Sequence, residues 1–227
     1  MVSETPLKVN SAESTSTREQ LLDVAEALFL EHGVDGVSLR AIVRASGQKN
    51  QSALQYHFGG RDGLIMAILM RRADQLEAER RVLMEEALQA REQPDLRSMC
   101  AILIRAPFKL CREQKAFREF LGQFGQRLLA SDQSVLTSAE VEHMPTRKVL
   151  RPMITASLSH LDPKLLMLRL EHAHAFGLLA ISRRARSGAS FKDAEAELFF
   201  NNLVDQIAGM LDAPVSPETR AQLEQHS

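Results

Sequence analysis

Apolar residues recur along most of the chain at the three- and four-residue spacing of amphipathic helices. The first such stripe consists of Leu21, Leu22, Ala25, Leu28 and Phe29. Thr17 and Gln20 have the spacing of a capping box, which predicts that this helix begins at Thr17, and Gly33 ends it. No segment has the two-residue alternation of a convincing strand.

Short helices follow, because the next turn signals stand close together. Ser38 can cap a second helix that Gly47 ends, and a third covers about Gln51 to His57. After two glycines, a long helix runs from about Arg61 to Glu92. About five more helices follow, interrupted by a polar connector at residues 131–144. The pattern predicts an all-α fold of about nine helices.

These boundaries divide the chain into four parts. We predict a disordered N-terminal tail over residues 1–16 and a three-helix domain over 17–60. A larger helical domain would cover 61–213, and a polar C-terminal tail 214–227. Two short helices joined by a tight turn, with a first helix packed behind them, form a helix-turn-helix unit.

Charge singles out the segment with the two short helices. The formal net charge of the 227 residues is -1, yet no acidic residue stands between Ser38 and Arg61, which include Arg40, Arg44 and Lys49. The stretch SALQYHFGGRDGL, from Ser52, combines polar and aromatic residues on one short helix. Such a face suits the major groove of DNA, where amides read base edges and hydroxyl or imidazole groups reach phosphates.

This arrangement resembles the TetR family of bacterial transcriptional regulators. The resemblance covers residues 17 to 70, from TREQLLDVAEALFLEHG to SALQYHFGGRDGLIMAIL. It implies that Ser38 and Arg40, at the start of the second helix, contact the DNA backbone and sometimes a base. Arg61 would be a phosphate contact at the start of the fourth helix.

The third helix carries the remaining implied contacts. Gln55, Tyr56 and His57 match the cluster that grips phosphates, although the family often has tyrosine where Gln55 stands. The turn GQKNQ is one residue longer than the commonest pattern. The other base-reading candidates are Lys49, Asn50, Gln51 and Ser52.

The C-terminal helices have two interpretations, because apolar stripes at helical spacing are usually core. The resemblance implies a pocket there for a hydrophobic small-molecule effector. Its candidate residues are Met99, Leu103, Phe108, Phe117, Phe120, Phe124, Met153, His172 and Phe176. It also implies a homodimer, with a candidate interface of Leu166, Leu170, Ala173, Gly177, Ala180, Leu203, Ile207 and Met210.

Other classes of function find little support. No paired carboxylates, nucleophile motif or phosphate loop stands out, so no enzyme is predicted, and no cofactor. His172 and His174 are two positions apart, which is not metal-ligand spacing on a helix. We expect a cytoplasmic protein with free thiols at Cys100 and Cys111 and no membrane segment.

The interpretation is therefore a homodimeric repressor, released from a palindromic double-stranded operator by its effector. A ligand-independent regulator, an activator of the same fold and a helical enzyme remain the alternatives.

Overall fold

The computed structural model describes residues 11–48, 50, 52–89, 94–130 and 145–225. Over these ranges the chain forms ten α-helices and no strand, which confirms the all-α prediction. They are α1 Ser11–His32, α2 Leu39–Ala45, α3 Ser52–Phe58, α4 Arg61–Gln89, α5 Leu96–Glu113, α6 Lys115–Ala130, α7 Pro145–Ser157, α8 Pro163–Arg186, α9 Ala194–Leu211 and α10 Pro217–Gln225. The predicted connector at 131–144 lies outside the described residues.

The chain divides into an N-terminal unit, Met1–Ala73, and a C-terminal unit, Asp74–Ser227. The boundary falls within α4, whereas the sequence suggests one at residue 60. The reason is that the first turns of α4 contribute to the N-terminal core, where Leu64 and Ile68 are 0% exposed. The same helix supplies Arg72, whose Nε donates to Glu26 of α1 at 2.6 Å.

The core of the N-terminal unit follows the predicted stripes. Leu21, Ala25 and Phe29 of α1 are fully buried, and Ile42 of α2 and Leu54 of α3 are buried with them. Burial of these side chains stabilises the unit by removing apolar surface from water. The two short helices are thus held from behind by α1.

The first helix begins earlier than predicted. It starts at Ser11, so Thr17 lies inside α1 rather than at its N-cap. No proline or glycine stands between these positions, and nothing in the local sequence stops the helix from extending.

Aromatic packing dominates the C-terminal unit. The ring of Phe108 on α5 lies 5.2 Å from that of Phe191 and 5.3 Å from that of Phe200, centroid to centroid. On α6, the rings of Phe120 and Phe124 stack at 5.1 Å. Such pairs add to the stabilisation that comes from area burial alone.

Two helices of this unit approach closely at a glycine. A Cβ at Gly125 of α6 would lie 2.6 Å from Cβ of Ser182 on α8. The Ser182 hydroxyl itself donates to the carbonyl of Leu121 at 2.9 Å. The α6–α8 contact therefore depends on the absence of a side chain at residue 125.

Side-chain caps fix the starts of α8 and α9. Asp162 caps α8 by accepting from the backbone N–H of Lys164 at 2.8 Å. Asp193 caps α9, which begins at Ala194. The N–H of Ala196 donates to Asp193 at 2.8 Å and holds the pKa of that carboxyl below its ordinary value.

The C-terminal end adds a helix that the sequence pattern did not predict. α10 lies within residues 214–227, where a polar tail was expected, and none of its residues is buried. The two cysteines are free and buried in α5, and burial raises their pKa values, to about 11 for Cys100 and about 12 for Cys111.

Candidate nucleic-acid interface

The second helix begins at an exposed polar cap. Ser38 has extended backbone dihedrals, and its Oγ accepts from the backbone N–H of Ala41 at 3.1 Å. Arg40 follows in the first turn of α2 and is exposed. The buried face of α2 is formed by Ile42 and Val43, so its polar residues point to solvent.

The turn before α3 is organised by an amide. Asn50 Oδ1 accepts from the backbone N–H of Ser52 at 3.2 Å, which satisfies a donor at the start of α3. Both residues are exposed. The predicted base-reading residues Lys49 and Gln51 lie outside the described residues.

The third helix presents two different faces. Leu54 and Phe58 are buried, which anchors α3 to the core. Tyr56 is 79% exposed, the largest exposed fraction among the exposed large apolar and aromatic side chains of the described chain. His57 is half-buried, and its ring meets that of Tyr56 edge-on at 5.1 Å.

The outer face of α3 continues to Gln55, which is exposed but already has a partner. Its Nε2 donates to the carbonyl of Gly59 at 3.1 Å, closing the end of α3. Gly59 and Gly60 have φ values of 67° and 130°, which glycine adopts without the steric cost of a Cβ. Gln55 thus supports the turn that leads into α4.

Arg61 is also engaged within the N-terminal unit. Its Nη1 donates to the carbonyl of Val37 at 2.7 Å, and its Nη2 donates to that of Val34. The guanidinium carbon lies 5.7 Å from the ring centroid of Phe29. The structure therefore places this predicted phosphate contact against the loop between α1 and α2.

Two acidic residues of α1 are paired with a basic residue of α4. Arg71 bonds to Asp23 and Glu26, and Glu26 is 3% exposed. The exposed side of α2 and α3, between Ser38 and His57, is called here the α2–α3 surface. It has no acidic residue, and Arg40 and Arg44 are exposed there. This surface therefore carries an excess of positive charge.

Sequence reasoning missed one basic contact of the buried face of α3. The guanidinium carbon of Arg18 on α1 lies 5.3 Å from the ring centroid of Phe58. Forty positions separate the two residues in the sequence, and helical periodicity says nothing about contacts between helices.

The residues predicted for an effector pocket are mostly core. Met99, Phe108, Phe117, Phe120 and Phe124 are each at most 3% exposed. Leu103, Met153 and Phe176 are partly exposed, and His172 is exposed. Among the described residues, no group of three or more His, Cys, Asp or Glu could hold a metal ion.

The predicted dimer residues lie largely on the inner faces of α8 and α9. A Cβ at Gly177 would lie 2.9 Å from Ile104 and 3.1 Å from Ile207, both in this chain. The buried members of the set are Leu166, Ala173, Gly177, Leu203 and Ile207. Leu170, Ala180 and Met210 are partly exposed.

Other apolar side chains of α8 and α9 face solvent. Leu168 is 51% exposed and Met167 48%, on α8, and Leu198 of α9 is 69% exposed. Over its most apolar stretch, α8 has a mean hydropathy of 1.2 but is only 28% buried, and by length and composition alone it could cross a membrane. Periodicity could not separate this outer stripe from the inner one, because both are apolar.

The N-terminal segment is similar in sequence to known regulators. Residues 21–68 match the family described as bacterial regulatory proteins, tetR family. The HTH-type transcriptional repressor AcnR of Corynebacterium glutamicum is 35% identical over 54 residues, which are 24% of this chain and 28% of that protein. Its counterpart from Corynebacterium efficiens is 34% identical over 53 residues, again 28% of its length. The match thus spans little more than a quarter of these relatives.

Solved structures resemble a much larger part of the chain. A tetR family transcription regulator from Shewanella sp. PV-4 has a TM-score of 0.60 at 16% identity and covers 84% of this chain and 97% of its own. A tetR-family transcriptional regulator from Streptomyces coelicolor has a TM-score of 0.55 at 20% identity, covering 93% and 88%. At these identities the likeness shows the fold.

Proposed function

We propose that this chain, whose residues 21–68 match the tetR family of bacterial regulatory proteins, regulates transcription by binding double-stranded DNA with the α2–α3 surface. The observation that carries this proposal is the exposed, acid-free face of two short helices whose other face is buried. A helix of this length, supported from behind, fits the major groove. The family consists of regulators rather than enzymes.

Individual contacts follow from chemistry and exposure. Arg40 and Tyr56 are exposed and would reach phosphates with the guanidinium and the phenolic hydroxyl, and His57 stands beside Tyr56. Ser52 and Asn50 stand at the start of α3, the part of a recognition helix that contacts base edges. Ser38 would contribute a backbone contact beside the N-terminus of α2.

The finer mechanism that we propose is a homodimeric, cytoplasmic repressor with a hydrophobic effector. Two copies would pair through the outer apolar stripe of α8 and α9, since Leu168 and Leu198 are exposed apolar side chains on neighbouring helices. Recognition helices related by a two-fold axis read half-sites about 34 Å apart. An effector that binds the DNA-free state better must weaken DNA binding by reciprocity.

Selection of bound DNA from a random pool tests the proposed function. The purified full chain should enrich an approximate palindrome with half-sites about one helical turn apart. Enrichment of one unrepeated half-site would contradict the dimeric mode, and no enrichment at low salt would contradict DNA binding itself. A helical enzyme, one of the alternatives, would enrich no sequence.

Substitution of Arg40 tests the location of the DNA surface. Arg40→Ala should weaken binding to the enriched site roughly ten-fold or more, since a hydrogen bond to a charged group is lost. The slope of log affinity against log salt should become shallower by about one unit. Fluorescence anisotropy across a salt series measures both quantities.

Arg44→Ala is the matched control, because it removes the same charge from an exposed position one turn later on the same helix. Equal losses in the two variants would indicate a general charge effect and would contradict a local contact at Arg40.

A further inference from the structure

Arg61 is fixed at several points around one side chain. Its two terminal nitrogens donate to the carbonyls of Val37 and Val34, and its guanidinium carbon lies 5.7 Å from the ring centroid of Phe29. A planar guanidinium can make both hydrogen bonds at once and still pack against an aromatic ring. The side chain spans the loop from the end of α1 to the start of α2.

Both acceptors belong to buried residues of the loop between α1 and α2. Val34 is 6% exposed and Val37 is 4% exposed, and buried carbonyls without hydrogen bonds are costly. The first turn of α2 does not use them, since the N–H groups of Ala41 and Ile42 bond to the carbonyl of Ser38. Arg61 supplies donors to both, immediately before the N-cap of α2.

We propose that Arg61 is a positioning residue for DNA binding. It fixes the α1–α2 loop and thereby the N-terminus of α2, where Ser38 and Arg40 stand. This inference rests on the proposed function, and it differs from the role in phosphate binding that the family resemblance implies. In the positioning role, residue 61 needs a planar guanidinium that can donate to two carbonyls at once, and a positive charge alone is not sufficient.

A lysine separates the two roles. Lys at residue 61 keeps the positive charge, and so could hold a phosphate, but its single ammonium lacks the planar fork that reaches two carbonyls. Gln removes the charge as well. If Arg61 holds the α1–α2 loop, Arg61→Lys and Arg61→Gln should weaken DNA binding equally. If Arg61 contacts a phosphate, Arg61→Gln should weaken binding more than Arg61→Lys.

Hydrogen exchange measures, without any DNA, how firmly Arg61 holds the start of α2. In both variants of the full chain, the backbone N–H groups of Ala41 and Ile42 should exchange several-fold faster than in the original protein. Exchange in α9 serves as the internal control and should not change. Unchanged exchange at the start of α2 in both variants would overturn the inference, whatever the DNA result.

DNA binding supplies the functional readout, on the site enriched from the random pool. Both variants should lose roughly ten-fold in affinity, and their salt slopes should equal each other, because the charge at residue 61 itself makes no phosphate contact. Original affinity in Arg61→Lys, with a slope shallower by about one in Arg61→Gln, would identify a phosphate contact instead.

A double-mutant cycle connects Arg61 to the residues it positions. Arg40→Ala combined with Arg61→Lys should weaken binding by less than the product of the two single effects, because both act through the start of α2. Independent effects would contradict positioning. If the original protein enriches no DNA, the proposed function fails, and the exchange experiment still decides whether Arg61 holds α2.

Discussion

At the scale of single residues, two glycines of the N-terminal unit are required by contact. A Cβ at Gly63 would overlap the carbonyl oxygen of Phe58, and a Cβ at Gly36 would overlap that of His32. Neither contact is visible in the sequence, where Gly63 reads as an ordinary helix position. They show that α3 and α4, and α1 and its following loop, pass each other at backbone distance.

Replacement of Gly63 by alanine should therefore destabilise the N-terminal unit by about 1–3 kcal/mol, since the backbone of Phe58 must shift. Urea unfolding followed by circular dichroism measures the change. Gly209→Ala is the control, because no atom lies within 4 Å of its added Cβ; it should stabilise α9 by up to about 1 kcal/mol. A neutral result at residue 63 would contradict the overlap.

Residue types were better predicted than their partners. The family resemblance implied that Gln55 and Arg61 contact DNA, but the sequence did not indicate that Gln55 bonds to Gly59 or that Arg61 bonds to Val34 and Val37. Periodicity reports which face of a helix a residue occupies. A side chain long enough to reach a neighbouring loop can leave that face, and its partner is then set by tertiary packing.

At the scale of elements, helical spacing predicted the number and type of most helices and misplaced some ends. α1 starts at Ser11, although Thr17 and Gln20 have a capping pattern. α7 shows why ends are hard to predict: the carboxylate of Glu77, on α4, accepts from the backbone N–H of Thr146 at 2.7 Å and from its hydroxyl at 2.6 Å. A cap supplied by another helix leaves no local signal.

Loss of that cap should be measurable. Glu77→Ala leaves the N–H and hydroxyl of Thr146, a residue with 0% exposure, without this acceptor. We expect a loss of about 1–3 kcal/mol in the free energy of unfolding of the C-terminal unit. Glu85→Ala, at an exposed position on the same helix, is the control and should change it little. Equal effects would indicate that the carboxylate contributes no cap.

At the scale of the whole molecule, α8 carries three of the eight exposed large apolar or aromatic side chains among the described residues, Met167, Leu168 and Leu179. Its inner side packs within the chain, where Leu166 is 5% exposed, while Leu168 remains 51% exposed. The sequence indicated that α8 is apolar but assigned the self-association surface largely to the inner stripe. A helix that is apolar on both sides gives no periodic signal for which side meets its own chain.

Leu168→Glu should therefore convert a dimer into a monomer without unfolding it, and sedimentation velocity measures the change in mass. A charge on an uncovered position costs little in the monomer, whereas in a contact between copies it would be buried without a partner. Val82→Glu, at a 43% exposed position on α4, is the matched control and should remain dimeric. A dimeric Leu168→Glu variant would place the contact elsewhere.

The backbone overlap at Gly63 also limits which mutations of its codon the protein can tolerate. Every single-base change of a glycine codon that yields another amino acid yields one with a Cβ, so each such mutation of this codon brings the same collision with Phe58. Gly209 meets no such obstacle. In a population of mutated genes, substitutions should therefore accumulate at the second codon and be eliminated at the first, although both encode the same residue in a helix.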